Sequence, residues 1–122
     1  MKRHSLDFLN DILEYASQGL NFIVGMSFED FYSDTKTKYA VFRALEVIGE
    51  ASKHIPSAIK KKYPNIDWKR ISGMRDKLIH EYTGIDYQIV WETINDNIPI
   101  VIQDIKIVIN DYKKENPDLF NI

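Results

Sequence analysis

Residues 87–112 read YQIVWETINDNIPIVIQDIKIVINDY, and this stretch has the clearest helical pattern in the chain. Its apolar side chains recur in alternating steps of four and three: Tyr87, Trp91, Ile94, Ile98, Val101, Ile105, Val108 and Tyr112. That spacing places them along one side of an α-helix, so it predicts a long helix packed against neighbouring helices. Pro99 has no N–H to donate to the carbonyl of Asn95, and it therefore predicts a kink.

The rest of the chain also shows helical spacing. Apolar positions predict helices over about residues 6–24 and 35–54, a short basic helix after Pro56, and a further helix over 67–82. Ser27, Asp34, Asp67 and Asp86 are residue types that start helices, and each precedes one of these segments or the turn at residue 28. The sequence predicts an all-α chain, with residues 1–122 forming one domain. Its architecture would be an antiparallel four-helix-type bundle with an extra short helix.

Composition narrows the class of protein. The chain has no cysteine, which excludes disulfides and thiolate metal sites. No apolar run approaches the roughly 20 residues of a membrane span, and the N-terminus lacks the apolar core of a signal peptide. We therefore expect a cytoplasmic protein with no membrane partner.

Charge is distributed unevenly. Residues 53–77 hold eight basic and two acidic side chains, a net charge of +6, whereas the whole chain carries −2. The balance argues against indiscriminate nucleic-acid binding but allows a local basic patch. The residues of this segment that are candidate nucleic-acid contacts are Lys53, Lys69, Arg70 and Lys77. The alternative is that basic residues such as Lys60–Lys62 only form a solvated helix face.

The side chains with the clearest chemistry lie in Arg75-Asp76-Lys77-Leu78-Ile79-His80-Glu81-Tyr82. Arginine can bind phosphate, and histidine can exchange protons near neutral pH. On a continuous helix Asp76 would neighbour His80, and Arg75 would share a side with Tyr82. Arg75 and His80, however, would point about 140° apart. Either the helix ends between them, or two chains of a two-fold dimer combine their segments in one cleft.

Two simpler interpretations of this segment are alternatives to a catalytic role. Exposed polar residues on one helix commonly form only a solvated face, and Tyr82 could be a buried structural tyrosine. The three histidines are isolated in sequence, and no His-x-x-x-His pattern occurs. We therefore predict no metal site and no cofactor.

The segment resembles the motif of HepT-type HEPN-domain ribonuclease toxins, an arginine, four residues, a histidine, any residue and a tyrosine. The resemblance extends over about residues 6–110. It includes Leu9-Asn10-Asp11-Ile12-Leu13, Ile48-Gly49-Glu50-Ala51, Tyr63-Pro64, Asp67-Trp68, Ile71-Ser72-Gly73-Met74-Arg75-Asp76, Val90-Trp91-Glu92 and Pro99. Ile100 departs from the pattern, because many relatives carry a polar residue there.

The resemblance implies a HEPN-like helical homodimer, or a larger hetero-oligomer, that belongs to a type VII-like toxin–antitoxin system. The toxin would cut RNA without a metal, by acid–base attack of the 2′-hydroxyl on the adjacent phosphate. His80 would be the acid–base residue, Arg75 would bind the phosphate, and Asp76 would support them. A minimal nucleotidyltransferase antitoxin, which uses ATP, would silence the toxin by AMPylation of Tyr82.

Two alternatives to the ribonuclease remain open at this stage. The chain could be a non-catalytic nucleotide- or partner-binding helical subunit of a nucleotidyltransferase complex. It could also be an assembly module that only dimerises. Cleavage of RNA in the presence of a chelator would distinguish the ribonuclease from both of these alternatives.

Overall fold

The computed structural model describes residues 3–80, 82 and 84–119, and only the backbone of Leu119. Helices dominate it, which confirms the all-α prediction. The helices in chain order are α1 (Ser5–Phe22), α2 (Phe28–Ser33), α3 (Thr35–Lys53), α4 (Ser57–Lys60), α5 (Trp68–Ser72), α6 (Met74–Leu78), α7 (Tyr87–Glu92) and α8 (Ile98–Glu115). Between α6 and α7, strands β1 (Ile79–His80) and β2 (Gly84–Ile85) form a small antiparallel pair. A π-helical segment (Thr93–Asn97) joins α7 to α8, and a 3₁₀ turn (Pro117–Leu119) follows α8.

Four of the helices begin where a polar side chain accepts a backbone hydrogen bond. The oxygens of Ser27, Asp34, Asp67 and Asp86 each accept from the backbone N–H three residues later, at 3.1, 3.1, 3.0 and 3.2 Å. Each bond satisfies one of the N–H groups that lack a partner in the first turn of a helix. All four predicted starts are therefore confirmed.

The C-terminal stretch is not one regular α-helix, because a π-helical turn stands immediately before Pro99. The backbone N–H of Ile98 bonds the carbonyl of Thr93, five residues back, instead of Ile94. Pro99 then stands in the first turn of α8. Because proline cannot donate the next bond of a regular helix, the backbone widens into a π-turn immediately before it.

The core lies where α1 packs against both α3 and α8, with α5 and α6 packed on α3. The centre of the predicted apolar stripe is buried, as shown by Ile94, Ile98, Val101, Ile105 and Val108. On the outer side of α8, Ile100 and Ile107 are 57% and 55% exposed. In the part of the chain that the structure describes, no helix is long and apolar enough to cross a membrane.

The predicted continuous helix over residues 67–82 is wrong. It is interrupted at Gly73, and its second half, α6, ends at Leu78. The backbone N–H of Asp86 donates to the carbonyl of Leu78 at 2.7 Å, which folds the following residues back as a hairpin. Gly84 adopts a φ of +82°, a conformation that other residues rarely adopt and that allows this reversal. The helix break expected at residues 83–84 therefore occurs earlier, and a hairpin replaces the last helical turn.

Candidate active site

His80 lies on the short hairpin rather than on a helix. It is the second residue of β1, and its partner across the strand pair is Gly84. Its imidazole is about half exposed, so the ring is open to solvent. The hairpin thus presents the histidine beyond the end of α6, away from the buried stripe of that helix.

Asp86 holds the imidazole in place. Its Oδ2 lies 3.1 Å from Nε2 of His80, while its Oδ1 accepts the backbone N–H of Ile89 at the start of α7. The hydrogen bond with His80, followed by the one from Ile89, lowers the pKa of the Asp86 carboxyl. One carboxylate therefore fixes both the ring and the first turn of α7.

The predicted contact between Asp76 and His80 is wrong. That contact required a helix through residue 80, and α6 ends two residues earlier. In the described part of the chain, the Asp76 carboxylate makes no side-chain hydrogen bond or ion pair and is exposed. The supporting role of Asp76 stays a prediction, while Asp86 is the carboxylate that touches the histidine.

A histidine held in this way has one ring nitrogen committed and one free. With Nε2 bonded to Asp86, Nδ1 has no hydrogen-bond partner among the described residues. The carboxylate can orient the ring. The free nitrogen can then take a proton from one group or give it to another.

Arg75 is anchored by a different carboxylate, on α3. Its Nε lies 2.9 Å from Oε2 of Glu46, whose other oxygen is 3.8 Å from Arg43. Only Nε is engaged, and the two terminal nitrogens of Arg75 have no side-chain partner among the described residues. A guanidinium fixed at one edge can offer its free edge to a phosphate.

The close approach of α3 and α6 makes this anchoring feasible. Gly49 lies one turn after Glu46, and a Cβ added to it would be 3.4 Å from the carbonyl of Ile71 and 3.9 Å from the backbone nitrogen of Arg75. Ser52, a further turn on, hydrogen-bonds the hydroxyl of Ser72 at 2.7 Å. Small residues on α3 therefore let the helix that carries Arg75 pack closely against it.

Different carboxylates hold the arginine and the histidine. In residues 3–80, 82 and 84–119, no hydrogen bond or ion pair connects Arg75 with His80, and each has its own carboxylate partner. Of the two explanations offered by the helix geometry, the helix does end between them. Whether two chains combine their segments stays a prediction.

Tyr82 lies at the turn of the hairpin and is 94% exposed. The alternative that it is a buried structural tyrosine is therefore wrong. The expectation that it shares a helix side with Arg75 is also wrong, because no helix extends to residue 82. Its phenol is nevertheless freely accessible.

The four candidate RNA-contacting residues are dispersed. Lys53 is paired with Glu50 at 3.1 Å at the end of α3, and Lys69 is exposed on α5. Arg70 and Lys77 share a cleft of about 210 Å³ beside the π-helical segment, where Arg70 donates to Asn97 at 2.9 Å. That cleft also contains two acidic residues, Glu92 and Asp96. Arg70 and Lys77 therefore share one cleft with two acids, and RNA contact by the four residues stays a prediction.

The remaining histidines lie elsewhere. His54 stacks on Phe8 with ring centroids 4.7 Å apart, and His4 lies 3.7 Å from Asp7 near the start of α1. Among the residues that the structure describes, no group of three or more histidine, aspartate or glutamate side chains could hold a metal ion.

Sequence reasoning missed the two anchoring carboxylates. Asp86 was identified only as a helix start, and Glu46 was not singled out. Asp86 is six residues from His80 and Glu46 is 29 from Arg75, so neither spacing has a helical signature. The sequence cue for Glu46 was its position three residues before Gly49, on the face that approaches α6.

Comparison with known proteins shows which family the sequence of this chain matches. The family described as "Ribonuclease HepT-like" matches residues 12–110. The chain is 50% identical over 117 residues to a "Putative RNase" of Methanocaldococcus jannaschii, covering 94% of this chain and 97% of the relative. It is 48% identical over 99 residues to the "Probable ribonuclease HepT" of Thermococcus cleftensis, covering 81% and 90%. No solved structure matches the chain.

Proposed function

Because this chain belongs to the HepT-like ribonuclease family, we propose that it is an endoribonuclease that cuts RNA without a metal ion. One observation carries the proposal. Two separate carboxylates hold Arg75 and His80, and they leave the terminal nitrogens of the arginine and one nitrogen of the histidine free. These are the atoms that phosphate binding and proton transfer require.

In the proposed reaction the 2′-hydroxyl of RNA attacks the adjacent phosphorus and displaces the 5′-oxygen of the next nucleotide. The products are a 2′,3′-cyclic phosphate and a free 5′-hydroxyl. An unprotonated His80 accepts the hydroxyl proton, or a protonated one donates to the leaving oxygen. Arg75 donates to the phosphate oxygens, which gain negative charge in the transition state.

Both proton transfers are best served by two imidazoles, and the motif of one chain supplies a single histidine, His80. We therefore propose a two-fold homodimer in which Arg75 of one protomer faces His80 of its partner. Within one chain, Arg75 is held by Glu46 and His80 by Asp86, and no direct contact between the two is found among the described residues. Sedimentation should show a dimer at micromolar concentration, and a monomer that cuts RNA would contradict it.

The cleavage test uses labelled RNA, purified protein and excess chelator. Wild-type protein should give products ending in a cyclic phosphate, and His80→Ala and Arg75→Ala should give none. His4→Ala is the matched control, because it removes another exposed, carboxylate-paired histidine that lies on α1's N-terminal side. Undiminished cleavage by His80→Ala would refute the assignment, and intact RNA with folded wild-type protein would favour the non-catalytic nucleotide- or partner-binding subunit.

We further propose that the chain is the toxin of a toxin–antitoxin pair and that Tyr82 is its modification site. A minimal nucleotidyltransferase would transfer AMP from ATP to the phenol oxygen, with release of pyrophosphate. The exposure of Tyr82 supports access by such an enzyme. The added phosphate charge at the end of the hairpin would repel RNA.

Intact mass after incubation with the partner and ATP tests the modification. A mass increase of one or more AMP groups should occur in wild-type protein and be absent in Tyr82→Phe. Tyr39→Phe is the matched control, because Tyr39 is another exposed tyrosine, on α3. Modification of Tyr82→Phe to the wild-type extent would exclude Tyr82 as the acceptor.

A further inference from the structure

A cleft lies beside His80 and extends beyond the residues that the proton transfer uses. It is an open cleft of about 490 Å³ between the hairpin, the start of α7 and helix α2. Its lining consists of Phe28, Tyr32, His80, Ile85, Asp86, Tyr87 and Gln88. The volume lies within the roughly 300–1,000 Å³ of typical small-ligand sites. His80 and its carboxylate therefore form one wall of a largely aromatic cleft.

The aromatic rings that line the cleft pack against other rings of the core. The rings of Phe28 and Tyr32 are 5.7 Å apart, and Phe31, which is fully buried, packs against Tyr87 at 6.3 Å and Trp91 at 5.1 Å. Contacts of this kind fix ring orientation through packing. The aromatic walls are thus held in place by the core and do not depend on a ligand for their position.

Tyr32 is the most exposed ring of this cluster, at 54%, whereas Phe28, Tyr87 and Trp91 are partly buried and Phe31 is fully buried. Part of the Tyr32 ring is therefore accessible from solvent. A planar ligand such as a nucleobase can bind there by stacking, because aromatic rings attract one another in offset or tilted geometries.

A positive charge accompanies the rings. The ammonium of Lys38 lies 4.4 Å from the ring centroid of Tyr32 and 4.7 Å from that of Tyr87. No carboxylate forms an ion pair with Lys38 among the described residues. Aromatic rings with an adjacent cation are the combination that single-stranded nucleic acid uses, because bases stack on the rings and the backbone meets the charge.

We propose that this cleft holds the nucleobase next to the scissile phosphate of a single-stranded RNA, stacked on Tyr32, with Lys38 near the backbone. The proposal rests on the proposed ribonuclease function, because it assigns a base subsite to the same histidine. It also predicts that the substrate is unpaired at the cut, since a base in a duplex cannot enter the cleft.

The test compares Tyr32→Ala with Tyr32→Phe on a short single-stranded RNA. Loss of one base stack should raise KM by about 5- to 100-fold in Tyr32→Ala, with kcat little changed, and Tyr32→Phe should stay close to wild type. Phe22→Ala is the matched control, because Phe22 is another half-exposed aromatic residue but lies at the end of α1, outside this cleft. Replacing the base beside the cut by an abasic site should raise the wild-type KM by a similar factor. The abasic site should leave the KM of Tyr32→Ala almost unchanged.

Binding separates failure of the subsite from failure of the ribonuclease. In a non-cleavable oligonucleotide carrying 2′-O-methyl groups and one 2-aminopurine, the fluorescence should be quenched by wild-type protein and not by Tyr32→Ala. If wild type cuts RNA while Tyr32→Ala has an unchanged KM and unchanged quenching, the base subsite is refuted and the ribonuclease stands. If no RNA is cut but quenching depends on Tyr32, the subsite stands without the cleavage. Free AMP that binds the wild type more tightly than the oligonucleotide would overturn the assignment to RNA.

Discussion

Asp86 combines two tasks, and two substitutions can separate them. Its Oδ1 caps α7 through Ile89, and its Oδ2 holds His80. Asparagine is as good a helix cap as aspartate, so Asp86→Asn should keep the cap and lose the negative charge beside the imidazole. Asp86→Ala should lose both.

The effect on catalysis follows from the contact itself. A hydrogen bond to a charged group contributes about 1.5–3 kcal/mol, and the side chain of Asp86 is 29% exposed, so solvent screening lowers the value to roughly 1–2 kcal/mol. If His80 carries positive charge in the transition state, Asp86→Asn should lower kcat by about 5- to 30-fold with little change in KM.

The effect on stability distinguishes the two variants. Loss of a helix cap costs about 0.5–2 kcal/mol, so Asp86→Ala should unfold several degrees lower, whereas Asp86→Asn should keep nearly the wild-type Tm. The assays are steady-state cleavage of a fluorogenic RNA and thermal unfolding by circular dichroism. Asp34→Ala is the control, because it removes an equivalent cap at the start of α3, away from the hairpin, and should lower Tm without lowering kcat.

A different outcome would exclude a catalytic role for the contact between Asp86 and His80. If Asp86→Asn retained full kcat while Asp86→Ala lost activity and stability together, Asp86 would act as a helix cap alone. The short distance to His80 would then have no part in catalysis.

Three further outcomes can be measured on the same protein. Gly84→Ala places a side chain at φ +82°, which costs about 1–2 kcal/mol, so its Tm and cleavage rate should both fall; an unchanged Tm would show that the hairpin can relax. Glu46→Gln should lower kcat several-fold by loosening Arg75 and leave Tm nearly constant, while Glu50→Gln, which alters only an exposed pair with Lys53, should change neither quantity. The backbone N–H of Thr37 holds the pKa of Asp34 below its ordinary 3.8; the stability that this carboxylate adds is complete above that value and is lost as the pH falls through the lower folded pKa. Asp34→Asn should therefore lose less Tm than wild type between pH 5 and pH 3 in thermal melts, and an equal loss would exclude this linkage.

Most of the helices and four of their starting points could be predicted from local sequence patterns. Alternating three- and four-residue steps identify the buried side of the last helix, because an α-helix repeats every 3.6 residues. The capping residues Asp34, Asp67 and Asp86 act through backbone groups three residues away, so their effect is also local. The types and spacing of Arg75, His80 and Tyr82 pointed to the family for the same reason, since a motif is a local pattern.

The partners of His80 and Arg75, and the aromatic cleft, depend on tertiary structure. Local spacing placed His80 on a helix beside Asp76, but the bond from the N–H of Asp86 to the carbonyl of Leu78 ends that helix and turns the chain into a hairpin. The partners of His80 and Arg75 then come from α7 and α3, and no helical period relates them. The aromatic cleft likewise joins α2 to α7 across more than fifty residues of sequence. Contacts of that kind arise from packing of separate elements against a shared core, which is why spacing along the chain could not predict them.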